Sequence, residues 1–325
     1  MTLPDRYLPT VEALGLLFIA DPHMAGTPPG QRLAGYTEQV LTKLTAALEH
    51  ARVRQFVPVI VGDLFHWPRE NPNSLLVALI ELLRPYRPWV LVGNHDKYLT
   101  RYTPDVSLAV LEAAGAVRVM AKPGAHLRIW LPEPGATAQE AVLGASPDMT
   151  PIPTVYQKKH NETVVWATHH NIGFRDYEDK YLRPKPIPGV DWVINGHLHR
   201  AQPTRLVGNT RWANPGSLVR IQFVHHNLER QPTVAIWQPR CEELELIKIP
   251  CIPFYEVFPK QELPDTAMDH PHESLFLAGL ERLAWRRTQE GLGLRQFLTA
   301  NLNPELPETR IIWQLYENVT HASKE

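Results

Sequence analysis

Leu16-Leu17-Phe18-Ile19-Ala20-Asp21-Pro22-His23 is a short apolar run that stops on a carboxylate and an imidazole two residues apart. An apolar run bounded in this way reads as a buried strand with Asp21 at its carboxyl end. The pattern recurs. Residues 57–61 run into Gly62-Asp63, and residues 89–92 into Gly93-Asn94-His95-Asp96. Residues 163–168 run into His169-His170, and residues 191–194 lead to Gly196-His197-Leu198-His199. Helical spacing fills the gaps between the early runs. Residues 33–54 carry Val40, Leu41, Leu44, Ala47 and Leu48 on one face. Residues 74–83 form a second helix with Ser74 as N-cap, and residues 106–114 a third that stops at Gly115. Alternating strand and helix predicts parallel strands joined by right-handed crossovers. Such folds carry their sites at the carboxyl ends of the strands.

The residues at those ends suit divalent metals. Phosphoester chemistry draws on hard oxygen ligands and imidazole nitrogens together. A carboxylate shared by two ions holds them about 3.5–4 Å apart. Asp63 is the candidate bridge, because its motif follows a central strand and offers a single ligand. Asp21 and His23 are two residues apart, which on extended chain puts both side chains on one side. His197 and His199 repeat that spacing. A lone histidine is more often a packed or capping residue than a ligand. Five motifs in this order, each after a strand-like run, point to a dinuclear centre.

Composition narrows the class. The chain has 325 residues, 44% of them hydrophobic and 21% charged, which is ordinary for a globular protein. A net charge of −1 argues against a strongly basic protein that coats DNA, though a local basic groove remains compatible with it. Two cysteines, Cys241 and Cys251, are too few for a disulfide framework and read as reduced cytosolic thiols. Residues 14–20 are too short for a secretory signal and lack a basic leader, and no segment has the apolar length of a membrane span. The expected location is cytoplasmic, with no membrane partner.

Past residue 116 the alternation stops. Residues 117–120, 126–131, 163–168, 191–194 and 210–213 are strand-like. Residues 233–237 and 245–249 form an antiparallel pair, and 132–153, rich in Pro, Gly, Ala and Thr, read as a loop. The economical architecture is α/β: two mixed sheets face to face, flanked by helices, a four-layer α-β-β-α sandwich. A proline-rich connector near 250–264 places a boundary at residue 252. The expected domains are 1–252, catalytic, and 253–325, a small, mostly helical appendage that docks a partner or caps the site. Its helices fall at 273–287 and 294–302, and 311–319 is amphipathic by either period.

Over roughly residues 15–220 the motif set resembles the calcineurin-like, or binuclear, metallophosphoesterase superfamily. The resemblance implies one metal held by Asp21, His23, Asp63 and His199, and another by Asp63, Asn94, His169 and His197. His169, first after its strand, is the ligand; His170 faces substrate or packing. His95 would donate to the phosphate or protonate the leaving oxygen, and Asp96 would orient His95. A hydroxide bridging the metals would attack phosphorus in line. The metals would be Mn for a nuclease, with Fe, Zn or Mg also fitting the ligands. Within the superfamily, Gly62-Asp63-Leu64-Phe65-His66 and the loop with Pro68 and Pro72 resemble SbcD-type DNA repair exonucleases, which implies that His66 contacts a DNA end. Asn214-Pro215-Gly216-Ser217 is similar too, but widespread. Two features depart from that pattern: proline between Asp21 and His23, and a short region beyond residue 252.

The resemblance therefore implies a DNA nuclease, with an SMC-like ATPase or a second copy of the chain as possible partner. A phosphodiesterase or phosphatase for a small nucleotide is the alternative, and a non-catalytic scaffold of the same fold a third. Arg69, Lys97, Arg101, Arg175, Arg183, Lys185, Arg200, Arg211 and Arg220 are the basic residues near the motifs, of which three or four are expected to touch phosphates. Trp67, Tyr98 and Phe174 are candidates for stacking on bases.

Overall fold

The computed structural model describes residues 8–132, 139–174, 182–259 and 309–314. The chain divides into two compact units, Met1–Asp269 and His270–Glu325. In the first, β1 (Thr10–Glu12) precedes β2 (Gly15–Ile19), the strand of the opening motif, which is buried throughout. Then follow α1 (Tyr36–Val53), β3 (Phe56–Ile60), α2 (Asn73–Leu83), β4 (Trp89–Leu91), α3 (Ser107–Ala113) and β5 (Arg118–Met120). Strands β2 to β5 pair in parallel, as the alternation predicts. The helix α2 begins one residue earlier than expected: Pro72 is its N-cap and Ser74 lies inside the first turn.

The second half adds β6 (Gly124–Leu131), β7 (Gln139–Ser146), β8 (Glu162–Thr168), β9 (Trp192–Asn195), β10 (Gln202–Val207) and β11 (Thr210–Asn214). Last come β12 (Thr233–Trp237), β13 (Glu245–Lys248) and the short α4 (Phe254–Val257). One six-stranded sheet has the order β13-β12-β2-β3-β4-β5; a seven-stranded sheet has the order β1-β6-β7-β8-β9-β11-β10. Both are mixed, and they face one another. Leu16, Phe18, Val59, Val61 and Leu91 from the first meet Leu143, Ala145, Val165, Ala167 and Ile194 from the second. Alternate residues of the first sheet, among them Leu17, Ile19 and Ile60, pack under Val40, Leu44, Ala47, Leu48 and Ala51 of α1. On the outer face of the second sheet, Val164, Trp166, Val193 and Trp212 are covered by Ile152, Ile172, Phe174, Ile187 and Val190.

The strand β7 corrects the expectation of a loop over 132–153. Its residues pair with β6 on one side and β8 on the other. Small residues hid it, and one of them is required: a Cβ on Gly144 would stand 2.2 Å from the Trp166 ring.

The expected boundary at residue 252 falls inside the first unit. There Phe254, Val257 and Phe258 form a small buried cluster with Phe223. Of the second unit, residues 309–314 are described and are helical. The expected helices at 273–287 and 294–302 lie outside the described residues.

Candidate metal centre

The loops after β2, β3, β4, β8 and β9 meet at one end of the sandwich and are stitched to each other by backbone hydrogen bonds. His23 N–H donates to Asp63 O (2.9 Å), Met24 N–H to Leu64 O (2.7 Å) and His66 N–H to Met24 O (2.9 Å). Leu218 N–H donates to Ala20 O (2.8 Å), and Ser217 Oγ to Asp21 O (2.9 Å). The Asn-Pro-Gly-Ser loop is thus a brace for the first motif. Asp21, His23, Asp63 and His197 have positive φ, 48°, 45°, 49° and 72°. Left-handed backbone at non-glycine residues costs on the order of 1–3 kcal/mol each and concentrates at functional sites. Glycine is needed at position 93, where a Cβ would lie 2.1 Å from Asp63 Oδ1.

All seven expected ligands converge. Asp21, His23, Asp63 and His169 are buried, whereas Asn94, His197 and His199 are half-buried and face outward. Asp63 Oδ2 is 3.2 Å from His169 Nε2 and 3.8 Å from His23 Nε2, the central position expected of a shared ligand. Asn94 Oδ1 is 3.1 Å from His169 Nε2 and 3.0 Å from His197 Nδ1. His23 Nε2 lies 2.9 Å from His199 Nε2. Potential ligand atoms of Asp21, His23 and His199 cluster within 4.8 Å of one another, as do those of Asp63, His169 and His197. His23, His66 and His95 form a third such group.

The electrostatics of the bare residues favour a cation. Burial lowers the pKa of His23, takes His197 to about 4 and takes His199 to about 3. Neutral imidazole is the form that binds metal. Burial also raises Asp21 to about 7, against the pull of His169. Asp63 is held well below the usual carboxylate range; burial alone would raise it, but His169, His95 and His23 outweigh that. His169 is raised to about 10: burial opposes its charge, and Asp63 and Asp21 prevail. His169 thus stands between two carboxyl groups, 3.8 Å from Asp21 Oδ1 and 3.2 Å from Asp63 Oδ2. Asp21 Oδ2 is buried with no hydrogen-bond partner. An unpartnered carboxylate oxygen and two imidazole nitrogens face to face are donors that a divalent ion would satisfy, so the residues fit the metals.

The tautomers can be read from the partners. His169 Nδ1 donates to the Val61 carbonyl (2.8 Å), which leaves Nε2 as the nitrogen a metal would take. His95 Nδ1 donates to the His66 carbonyl (2.8 Å), leaving its Nε2 free toward the site. The hydrogen bond to the His95 ring is thus made by the His66 carbonyl. Asp96 is buried, and its carboxylate accepts from Phe65 N–H (3.1 Å) and Gly93 N–H (3.0 Å), tying the second motif to the third. Burial and the nearby Asp63 raise Asp96 to about 6. The His66 ring stacks on His95 with centroids 5.1 Å apart and lies edge-on to Trp67 at 4.5 Å. Burial, then His95, lowers His66 to about 4.

His170 points away from the ligand group: its Nε2 donates to the Thr150 carbonyl (2.8 Å). Two asparagines brace the last motifs: Asn195, which sequence reading passed over, and Asn214 of the Asn-Pro-Gly-Ser stretch. Asn195 accepts from Thr168 Oγ1 and His170 N–H and donates to the His170 and Gly196 carbonyls. Asn214 donates to the Leu198 carbonyl (2.8 Å). Asn195 directly precedes Gly196-His197, and that position was the available signal.

The basic residues sort themselves. Lys97 is paired with Asp148. Arg220 is buried and donates to the Ile252 and Asn227 carbonyls. Arg211 lies over Trp192, at the far ends of β9 and β11. Arg69 sits over the Tyr98 ring, 4.0 Å from its centroid. Arg101, Arg183, Lys185 and Arg200 are exposed, and Arg175 lies outside the described residues. Of the stacking candidates, Trp67 and Tyr98 are 48% and 40% exposed, whereas Phe174 is in the core.

Paired sheets with an Asp/His/Asn cluster at their strand ends define a metallophosphoesterase. The profile for calcineurin-like phosphoesterase matches residues 14–201, and the chain belongs to that family. The Asp, His and Asn cluster fits the metal-dependent phosphoester chemistry for which that family is named. Two solved structures from Thermus thermophilus are similar. One is a 5'-nucleotidase precursor, 14% identical with a TM-score of 0.42, aligned over 73% of this chain and 54% of that one. The other is a hypothetical protein, 13% identical with a TM-score of 0.35, aligned over 72% and 99%. The chain spans about half the length of the first. Comparison with curated proteins finds no match.

Proposed function

We propose that the protein hydrolyses phosphodiesters of DNA at a centre of two divalent ions, with Mn(II) as the first choice. Asp21, His23, Asp63 and His199 would hold one ion, and Asp63, Asn94, His169 and His197 the other. Two bound cations supply an acidified water and charge stabilisation for the phosphoryl oxygens. The chain's own residues do the rest. Asp63 is fixed by the His95 N–H (2.8 Å), and the His95 ring is fixed by the His66 carbonyl. The Nε2 of His95, the ring nitrogen not committed to the His66 carbonyl, can then hold a phosphoryl oxygen or deliver a proton to the leaving oxygen.

The observation that favours a strand as substrate is the ledge beside His66 and His95. Trp67 is exposed there, and Arg69 lies flat on an exposed Tyr98. Aromatic faces stack on bases without sequence preference, at about 1–3 kcal/mol each, and guanidinium groups meet backbone phosphates. Incubating the Mn(II)-loaded protein with labelled single- and double-stranded DNA tests this. Cleavage that drops at least tenfold in Trp67→Ala supports it. Intact DNA alongside rapid turnover of cyclic nucleotides sinks it and favours a small-nucleotide phosphodiesterase.

A further inference from the structure

His23 is buried, and its two ring nitrogens meet different partners. Nε2 lies among the candidate ligands, 2.9 Å from His199 Nε2 and 3.8 Å from Asp63 Oδ2. Nδ1 has one hydrogen-bond partner among the described residues, Nδ1 of His66 at 3.4 Å. A neutral imidazole carries a single N–H. With a metal on Nε2, the proton of His23 sits on Nδ1, and His66 Nδ1 is the acceptor that remains for it. The bond is at the long end of the range, as hydrogen bonds in metal-free or substrate-free sites often are.

The backbone builds this pairing. Met24 and Phe65 form a parallel bridge, which sets His66 beside His23. His66 is half-buried, and its ring is packed on two sides. It stacks on the His95 ring at an interplanar angle of 26°, and the Trp67 ring meets it edge-on. The His66 carbonyl accepts from His95 Nδ1, so one residue holds two neighbouring histidines, His23 through its ring and His95 through its backbone.

The rings of His23, His66 and His95 also form a group that a further cation could occupy. Chemistry disfavours that use. His23 would have to bind one ion through each nitrogen and give up both protons, and His95 Nδ1 is already committed to a carbonyl. A hydrogen bond between the two Nδ1 atoms needs neither.

We infer that His66 is a positioning residue of the metal centre: its Nδ1 accepts the Nδ1–H of His23 and leaves the Nε2 lone pair of His23 for the metal, while its carbonyl sets the ring of His95. The ligand class served is a divalent cation, and the role needs no DNA. The inference rests on the reading of His23 as a ligand, and its test does not depend on the substrate.

Mn(II) binding to the chelator-treated protein is measured by titration calorimetry. Two ions should bind to the parent chain. His66→Ala keeps the backbone carbonyl and removes the acceptor, and one of the two ions should then bind about 10- to 100-fold more weakly. His66→Asn returns an acceptor oxygen near the position of Nδ1 and should recover most of that loss. Hydrolysis of bis(p-nitrophenyl) phosphate, which carries no base, should fall in His66→Ala at limiting Mn(II) and rise again with excess. Unchanged Mn(II) affinity in His66→Ala overturns the role, as does a His66→Asn variant no better than His66→Ala. A third ion bound by the parent and lost in His66→Ala also overturns it. Intact DNA with the loaded parent, alongside the expected ion binding, overturns the nuclease reading alone.

Discussion

At the scale of residues, His95 and His197 lie in the same cluster and do different work. His95 is anchored by the His66 carbonyl through Nδ1 and by Asp63 through its backbone N–H, which leaves Nε2 uncommitted. His197 faces Asn94, and its backbone N–H donates to Asp21 Oδ1 (2.9 Å). In His95→Ala both metals are expected to remain while turnover falls by about 10²–10⁴-fold, the range for a lost general acid. In His197→Ala metal content itself should drop. Elemental analysis beside kcat separates them, and equal metal loss in both contradicts these roles. Asp96→Asn probes a different kind of residue. It sets an NH₂ against one of two backbone N–H groups, which costs about 1–3 kcal/mol and lowers the unfolding midpoint. A large fall in kcat with no loss of stability would instead mean that Asp96 acts through His95.

At the scale of elements, strands were legible where they are buried on both faces. The run at 16–20 and its counterparts are continuous apolar stretches, and such stretches are the strongest strand signal. The strand β7 was missed because Ala141, Gly144 and Ala145 dilute that signal and mimic a loop; Gly144 is required by the Trp166 ring beside it. Helices were legible from spacing, but one residue of α1 breaks its pattern. Lys43 lies on the buried side, near Arg32, Arg220 and Arg230. Burial, then Arg32, lowers its pKa from 10.5 to about 7. Between those values the unfolded chain is protonated and the folded chain is not, so folding grows more favourable as pH rises from about 7 to 10.5. Lys43→Met should therefore stabilise the protein by about 1–3 kcal/mol at neutral pH. That gain should shrink toward pH 10.5. Denaturant unfolding at a series of pH values checks it, and a gain that is independent of pH rules out the titration of Lys43 as its cause.

For the whole molecule, the convergence of the seven candidate ligands was legible because each motif ends a strand, and a shared end follows from parallel topology. What was not legible depends on distant contacts: the turn at 147–150 hung from Val92, the His66 carbonyl on His95, and the His66 ring on His23. The central claim is that two ions bound by this set perform phosphoester hydrolysis. The most direct measurement is hydrolysis of a phosphodiester by chelator-treated protein reloaded with Mn(II) in counted equivalents. Two ions should bind per chain, activity should appear with the second, and Asp63→Ala should lose both binding and turnover. Full activity in the metal-free protein, or Asp63→Ala at the parental rate, would contradict it.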